Sequence, residues 1–312
     1  MLKKIDFNKP LKWVLIAYAA IALVGIILSV IFGVRMDINF KGGTVITYNY
    51  TFEEGKVADI NTDEVKALVT EKLKADATVT KGASIAGNTY TITVSLVENS
   101  AVSTDSQEAL TKALQEKYKD NNIKVYGANS VSPTLATPFF LKALAAVVVV
   151  AILVVIYVGF RFRKIGGVTA ALTALVALVL DVAVSFIACV VFRLQIDMNY
   201  IAVVLTILGY SLNDTIVVYD SVRENKKSTE GLTLAQMVDK SLHDVVARNI
   251  VTTTTTVLAV ITIIVVSEIY GLTTLRTFAI PMVFGLISGC ISSIFVSTPL
   301  WVVWRNKLDA KK

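Results

Sequence analysis

A chain of 312 residues that is 54% apolar and 17% charged is too hydrophobic for an ordinary water-soluble domain. Its net charge of +6 sits in short basic clusters beside apolar runs, which argues against a nucleic-acid-binding face as the source of the excess. Two cysteines and one histidine leave no disulfide framework and no histidine metal cluster.

In chain order, Lys3, Lys4, Lys9 and Lys12 precede an apolar run over 13–34. A core of about 22 residues exceeds the ~7–15 of a cleavable signal, and Arg35-Met36-Asp37 offers no small-residue cleavage site, so this run reads as an uncleaved membrane anchor. The block 35–136 has no spanning stretch. Within it, Thr44–Thr51 alternates with a β-branched and aromatic bias, as a strand does. Asn61 followed by Glu64 predicts a helix start, continued by Val65, Leu68, Val69 and Leu73. Strands follow over about 77–84 and 89–97, joined by the turn signal Ala86-Gly87-Asn88. Thr104 and Gln107 are spaced as a capping box opening a helix through Leu110, Leu114 and Tyr118, and a last strand over 122–131 leads to Pro133. The order β-α-β-β-α-β predicts a ferredoxin-like split unit, a fold that specifies no function by itself.

Five further apolar runs, 139–160, 166–192, 199–219, 246–267 and 278–304, are long enough to span a bilayer. The expected architecture is a polytopic α-helical membrane protein with six transmembrane helices and an external α+β domain between the first two. Its parts are an N-terminus and first helix (1–34), the external domain (35–136), a five-helix membrane domain (137–304) and a basic tail (305–312). Both termini and the loops after spans two and four share one side, and they carry the basic clusters: Arg161, Arg163 and Lys164; Arg223, Lys226, Lys227 and Lys240; Arg305, Lys307, Lys311 and Lys312. The opposite short loops offer Arg193 and Arg276, so the basic side is expected in the cytoplasm and the α+β domain outside. That domain holds 11 Lys/Arg against 13 Asp/Glu, so the positive charge belongs to the cytoplasmic edges and no nucleic-acid partner is expected.

The candidate functional residues lie inside the spans. Asp214 falls within the apolar run 200–219, and a carboxylate at membrane depth costs about 3 kcal/mol or more, so it is retained for a function or a buried partner. Asn213 precedes it, and Thr206, Tyr210, Asn213 and Asp214 form a polar stripe on span four. Asp181 sits midway along span three. Arg248 and Asn249 open span five ahead of Thr252 to Thr256, so Arg248, Thr252 and Thr255 or Thr256 share one face. Gly285, Gly289 and Ser293 recur every four residues on span six, a small-residue packing face. A carboxyl poised between burial, which favours its neutral form, and a nearby cation, which favours its charged form, is able to take a proton from one side and release it to the other. Structural readings stand beside each: the threonines as backbone-bonded packing, Arg248 as an interfacial flank, Asp181 as a carboxylate paired across helices. Cys189 and Cys290 read as buried inert thiols, and His243 alone makes no metal site. No Walker loop, dinucleotide fingerprint or nucleophile–base pair appears, so neither an enzyme nor a bound cofactor is expected.

Several motifs together resemble the SecF family of protein-export membrane subunits, within the resistance-nodulation-division superfamily. Asp37-Ile-Asn-Phe40-Lys-Gly42-Gly43-Thr44 resembles the family's Asp-Phe-x-Gly-Gly-Thr signature, and Ser130–Thr134 is similar to its Val-Gly-Pro segment. The block Gly209–Asn225 is the most specific match, and the Arg248 region and Ser292–Phe295 near Pro299 fit the last two spans. Ser132 and Leu180 stand where the family carries Gly and His. The resemblance implies a non-enzymatic accessory subunit of the Sec translocase that pairs with a separate SecD chain beside the SecYEG channel. It further implies use of the proton gradient, with no other cofactor, to help move preproteins. Carried onto matching positions, Asp214 is the proton-relay carboxylate, Arg248 its cationic partner, Asn213 a supporting residue and Asp181 a lesser member. The alternatives are a small-molecule efflux subunit of the same superfamily and a non-transporting membrane scaffold.

Overall fold

The structure is a computed structural model that describes residues 7, 10–52, 59–74, 77–83, 89–96, 103–226, 231–270 and 272–310. The turn signal Ala86-Gly87-Asn88 and Lys3, Lys4, Lys9, Lys227, Lys311 and Lys312 lie outside the described residues. Among those described, six helical stretches are long and apolar enough to cross a membrane. The chain divides into two compact units, Met36–Leu144 with Ile264–Arg276, and Met1–Arg35 with Ala145–Ile263 and Thr277–Lys312.

The first of these units holds the α+β domain. After α1 (Leu11–Phe32), a short helix α2 (Ile38–Lys41) that the sequence pattern did not predict is capped by Asp37, whose side chain accepts from the Asn39 amide at 2.9 Å. The Asp-Phe-x-Gly-Gly-Thr signature thereby gains a physical reading. Asp37 starts the turn, and Phe40 is buried against the Phe139 and Phe140 rings. Gly42 and Gly43, at φ 83° and 135°, turn the chain into β1 (Gly43–Thr51). A side chain at Gly43 would collide with the Leu96 carbonyl.

Helix α3 (Thr62–Leu73) and strands β2 (Ala77–Ala83) and β3 (Thr89–Leu96) follow, then α4 (Thr104–Lys117) and β4 (Lys124–Val131). The strand order is β2-β3-β1-β4 and every pairing is antiparallel. β1 and β2 therefore run the same way with β3 between them, the ferredoxin-like split arrangement that the element order implied. Alternation on β1 and β3 turns Ile46, Tyr48, Tyr50, Ile92, Val94 and Leu96 into the core. Val65, Val69, Leu110 and Leu114 from the helices close it.

Local details differ from the sequence pattern. Asn61 does cap α3, accepting from the Asp63 amide at 2.8 Å, but Glu64 reaches across to Lys117 (2.9 Å) and the Tyr118 hydroxyl (3.0 Å). A charged partner on α4 outcompetes the backbone amide. The cap of α4 is Ser103, one residue before Thr104, because its hydroxyl is the one in reach of the Ser106 amide. β4 begins at Lys124, since the chain first makes a 3-10 turn at Lys119–Asn121 and a left-handed residue at Asn122.

The span unit contains most of α5 (Pro133–Arg161), all of α6 (Gly167–Val191) and α7 (Met198–Asn225), and much of α8 (Leu234–Tyr270). Asp197 caps α7 by accepting from the Tyr200 amide at 3.0 Å. α8 starts 12 residues before the apolar run at 246, because an amphipathic turn with buried Met237, Val238 and Leu242 leads into it. The last span is α9 (Thr273–Ser292), a π turn at Ser293–Ser297 and α10 (Thr298–Asp309). Pro299 lacks an amide to continue the regular ladder, and the Thr298 hydroxyl instead donates to the Ser293 carbonyl at 3.1 Å. Within this unit α6 packs against α1, α7 and the last span. The last span is mostly buried, whereas α1, α5 and α8 expose most of their surface.

Candidate functional site

Asp181 stands at the middle of α6 with 0% exposure. Its carboxylate accepts from the Ser211 hydroxyl on α7 at 2.6 Å and from Ser288 and Ser292 on α9 at 2.6 and 2.9 Å. Ser288 and Ser292 are four residues apart, so one helix face delivers both donors. The Tyr18 hydroxyl of α1 joins the cluster, 2.9 Å from the Ser288 hydroxyl. One carboxylate thus gathers four spans, and three donors offset the cost of burying it.

Asp214 lies one turn beyond Ser211 on α7 and is 2% exposed. It leans on a different helix. The Thr253 hydroxyl of α8 donates to its carboxylate at 3.2 Å, and the Asn249 side-chain amide donates to its backbone carbonyl at 3.3 Å. Among the described residues no second side chain donates to the Asp214 carboxylate. It is therefore the less compensated of the two buried acids.

Hydroxyls continue from this pair along α7. Thr215 meets Ser293 at 2.9 Å, and Ser293 donates to the Ser211 carbonyl at 3.3 Å. Tyr219 meets Thr173 and Ser297, each at 2.8 Å, with its ring edge-on to Phe162 and Trp301. The π turn aims Ser293 and Ser297 at α7. Upstream on the same face, a side chain at Gly285 would run into Ile207, and one at Gly289 would sit 2.9 Å from the Ser211 Cβ. Gly285, Gly289 and Ser293 are thus where the last span approaches α7 closely.

The stripes read from spacing divide in three dimensions. On α7, Thr206 and Asn213 are exposed, Tyr210 is half-buried and bonded to the Thr256 hydroxyl, and Asp214 faces inward. On α8, Arg248 and Thr255 are exposed, and Thr252 donates to its own helix carbonyl at 2.8 Å. The threonine that reaches Asp214 is Thr253, off the Arg248–Thr252 face, together with Asn249 one turn before it. No ion pair joins Arg248 to Asp214 among the described residues; Arg248 points to the open side of α8. Spacing missed Ser211, Ser288, Ser292 and Tyr18, although the i, i+4 pair Ser288/Ser292 was a usable signal. Both thiols are free, Cys189 buried and Cys290 half-buried.

Among the described residues, six membrane-length helices, a split β-α-β domain inserted after the first, and two buried acids bound to hydroxyls define a multi-pass helical membrane protein with ionisable groups inside its bundle. Residues 110–307 match the family described as protein export membrane protein SecD/SecF, C-terminal. The chain is 29% identical over 310 residues to the protein translocase subunit SecF of Alicyclobacillus acidocaldarius, covering 98% of this chain and 95% of that protein. It is 31% identical over 275 residues to SecF of Sebaldella termitidis, covering 88% and 83%. The crystal structure of a Thermus SecDF, a translocon-associated membrane protein, matches with a TM-score of 0.78 at 27% identity, over 98% of this chain and 39% of that one. The chain belongs to the SecF family.

Proposed function

We propose that this chain works with a SecD-like subunit beside a SecYEG-type channel, using the proton gradient to promote preprotein export, without catalysing a chemical reaction itself. The observation that carries the reading is Asp214, a buried acid inside the bundle with, among the described residues, a single side-chain donor. A proton moving across about 100 mV releases roughly 2.3 kcal/mol, so a few protons passing this carboxyl supply work that needs no ATPase. Arg248 is the cation of the relay. Its exposed position, on the same helix face as exposed Thr255, supports a partner that covers this polar face. The partner assignment draws on the likeness to SecDF, of which this chain matches a part. Asp181, fully compensated, holds the spans together. The basic clusters support an orientation with both termini in the cytoplasm and the α+β domain outside.

The test is proton-gradient-dependent preprotein translocation in vesicles. Asp214→Asn keeps shape and removes the titratable group, so the complex assembles normally and loses the gradient-dependent part of export. Arg248→Met behaves alike and Arg248→Lys falls between, because lysine keeps the charge without the planar fork. Normal gradient-driven export with Asp214→Asn would falsify the relay, and loss of complex in proportion to activity would assign Asp214 a structural role. Reporter fusions after residue 87 read external and those after 227 and 312 cytoplasmic; the reverse pattern overturns the orientation.

A further inference from the structure

A cavity of about 890 Å³ opens at the end of α5, where the chain turns into α6 beside the end of α7. Arg161, Arg163, Lys164, Arg223 and Lys226 line it, with Glu224 as the lining carboxylate. Asp220 sits under two of the arginines, 3.1 Å from Arg161 and 2.7 Å from Arg223. Lys226 donates to the Lys164 carbonyl at 3.1 Å, which ties the end of α7 to the turn. Among the described residues, five cations against the two carboxylates Asp220 and Glu224 leave an excess of three positive charges. Neither Arg163 nor Lys164 has a carboxylate within ion-pair distance among the described residues, so both are available to a ligand.

The surroundings say what kind of anion fits. Arg163 lies over the ring of Phe160 at 4.8 Å, and Phe160 is itself 71% exposed. Below it, Val148, Ile152 and Ile156 repeat every four residues along α5, all exposed and all apolar. The cavity therefore stands at the head of an apolar track on a helix that crosses the membrane. A free anion would use the cations and ignore the track. An amphiphile uses both, with its chains along α5 and its head among the cations.

We propose that this cavity binds the phosphate headgroup of an anionic phospholipid. Arginine forks match phosphate oxygens bidentately, and each basic side chain near a membrane surface adds roughly fivefold to anionic-lipid affinity. The site is separate from the Asp214 region and tethers the α5–α6 turn and the end of α7 to the bilayer surface. Under the orientation proposed above, that surface is the cytoplasmic leaflet; the lipid binding itself does not depend on the relay.

The test is lipid retention by the full chain, purified in detergent with its assembled partner, delipidated, and re-exposed to phosphatidylglycerol or phosphatidylcholine before native mass spectrometry. The expected result is at least tenfold preference for phosphatidylglycerol. In Arg163→Gln/Lys164→Gln the affinity for phosphatidylglycerol falls by about 20- to 30-fold, from two cations at roughly fivefold each. The charge-matched control Lys240→Gln/Lys307→Gln, outside the residues that line the cavity, changes it less than threefold. Lys226→Gln gives an independent reading of about fivefold if the double variant is recovered poorly. Equal retention of the two lipids, an unchanged double variant, or a control as affected as the cavity variant overturns the site. Displacement of phosphatidylglycerol by inorganic phosphate at equal concentration shows a free-anion site instead and overturns the lipid assignment. Because no transport is measured, failure here leaves the proton-relay reading untouched.

Discussion

Replacing Asp181 by alanine removes the acceptor for three hydroxyls at once, those of Ser211, Ser288 and Ser292. Interhelical hydrogen bonds in membrane proteins are worth about 0.6 kcal/mol on average and up to ~1.7. Three of them give about 2–5 kcal/mol. Serines on helices recover part of this by turning to their own i−4 carbonyls, which puts the expectation toward the lower half of that range. At ~2–4 °C per kcal/mol for a chain of this size, the melting temperature in detergent falls by about 5–10 °C. The assay is thermal unfolding of the purified complex, followed by intrinsic fluorescence of Trp301, which is buried against Tyr219 in the same bundle. Because the three serines act through one carboxylate, Ser288→Ala/Ser292→Ala in the Asp181→Ala background costs less than in the parent. Asp181→Asn, which keeps one acceptor oxygen in the same place, is intermediate. A melting temperature unchanged within about 2 °C for Asp181→Ala, or full additivity with the serine changes, would refute the view that this carboxylate holds the spans together.

Gly285→Val places a branched side chain against Ile207, and overpacking of this kind costs about 1–3 kcal/mol, to be read as reduced melting temperature and reduced complex yield; an unaffected variant means that the last span does not approach α7 as described. Tyr210→Phe removes the hydroxyl that joins α7 to Thr252 and Thr256 of α8, so amide exchange in residues 249–256 quickens while exchange around Asp181 stays the same. In the α+β domain, partial burial works against ionisation of Asp59, yet the Lys81 ammonium at 2.6 Å and the Tyr50 hydroxyl hold its carboxyl below the usual range. A depressed folded-state value stabilises the domain above the unfolded-state range near pH 4 and is lost as pH falls below it. Exchange protection of β1–β3 therefore drops on acidification, and Asp59→Asn flattens that drop; since the pair is half-exposed, the neutral-pH cost stays under about 1 kcal/mol.

The class of protein was legible from residue order alone, because membrane spanning depends on local length and apolarity, which no tertiary contact can supply or cancel. The same holds for the α+β domain: period-2 alternation on β1 and helical spacing of Val65, Val69, Leu110 and Leu114 name the core face before any strand pairs. Caps were less legible, because Ser103 and Thr104 compete for one amide and only the chain path decides which hydroxyl reaches it. Asp181 and Asp214 stood out as acids in apolar runs, yet their surroundings were beyond reach of spacing. Whether a carboxylate meets three hydroxyls or one depends on the rotation and depth of neighbouring helices, and those follow from packing at Gly285, Gly289 and the π turn before Pro299. A shift of one residue along α8 separates Thr253, which touches Asp214, from Thr252, which bonds its own backbone. A helix advances about 100° per residue, so the sequence names the polar residues of a span, and only the packed bundle selects which of them turn inward.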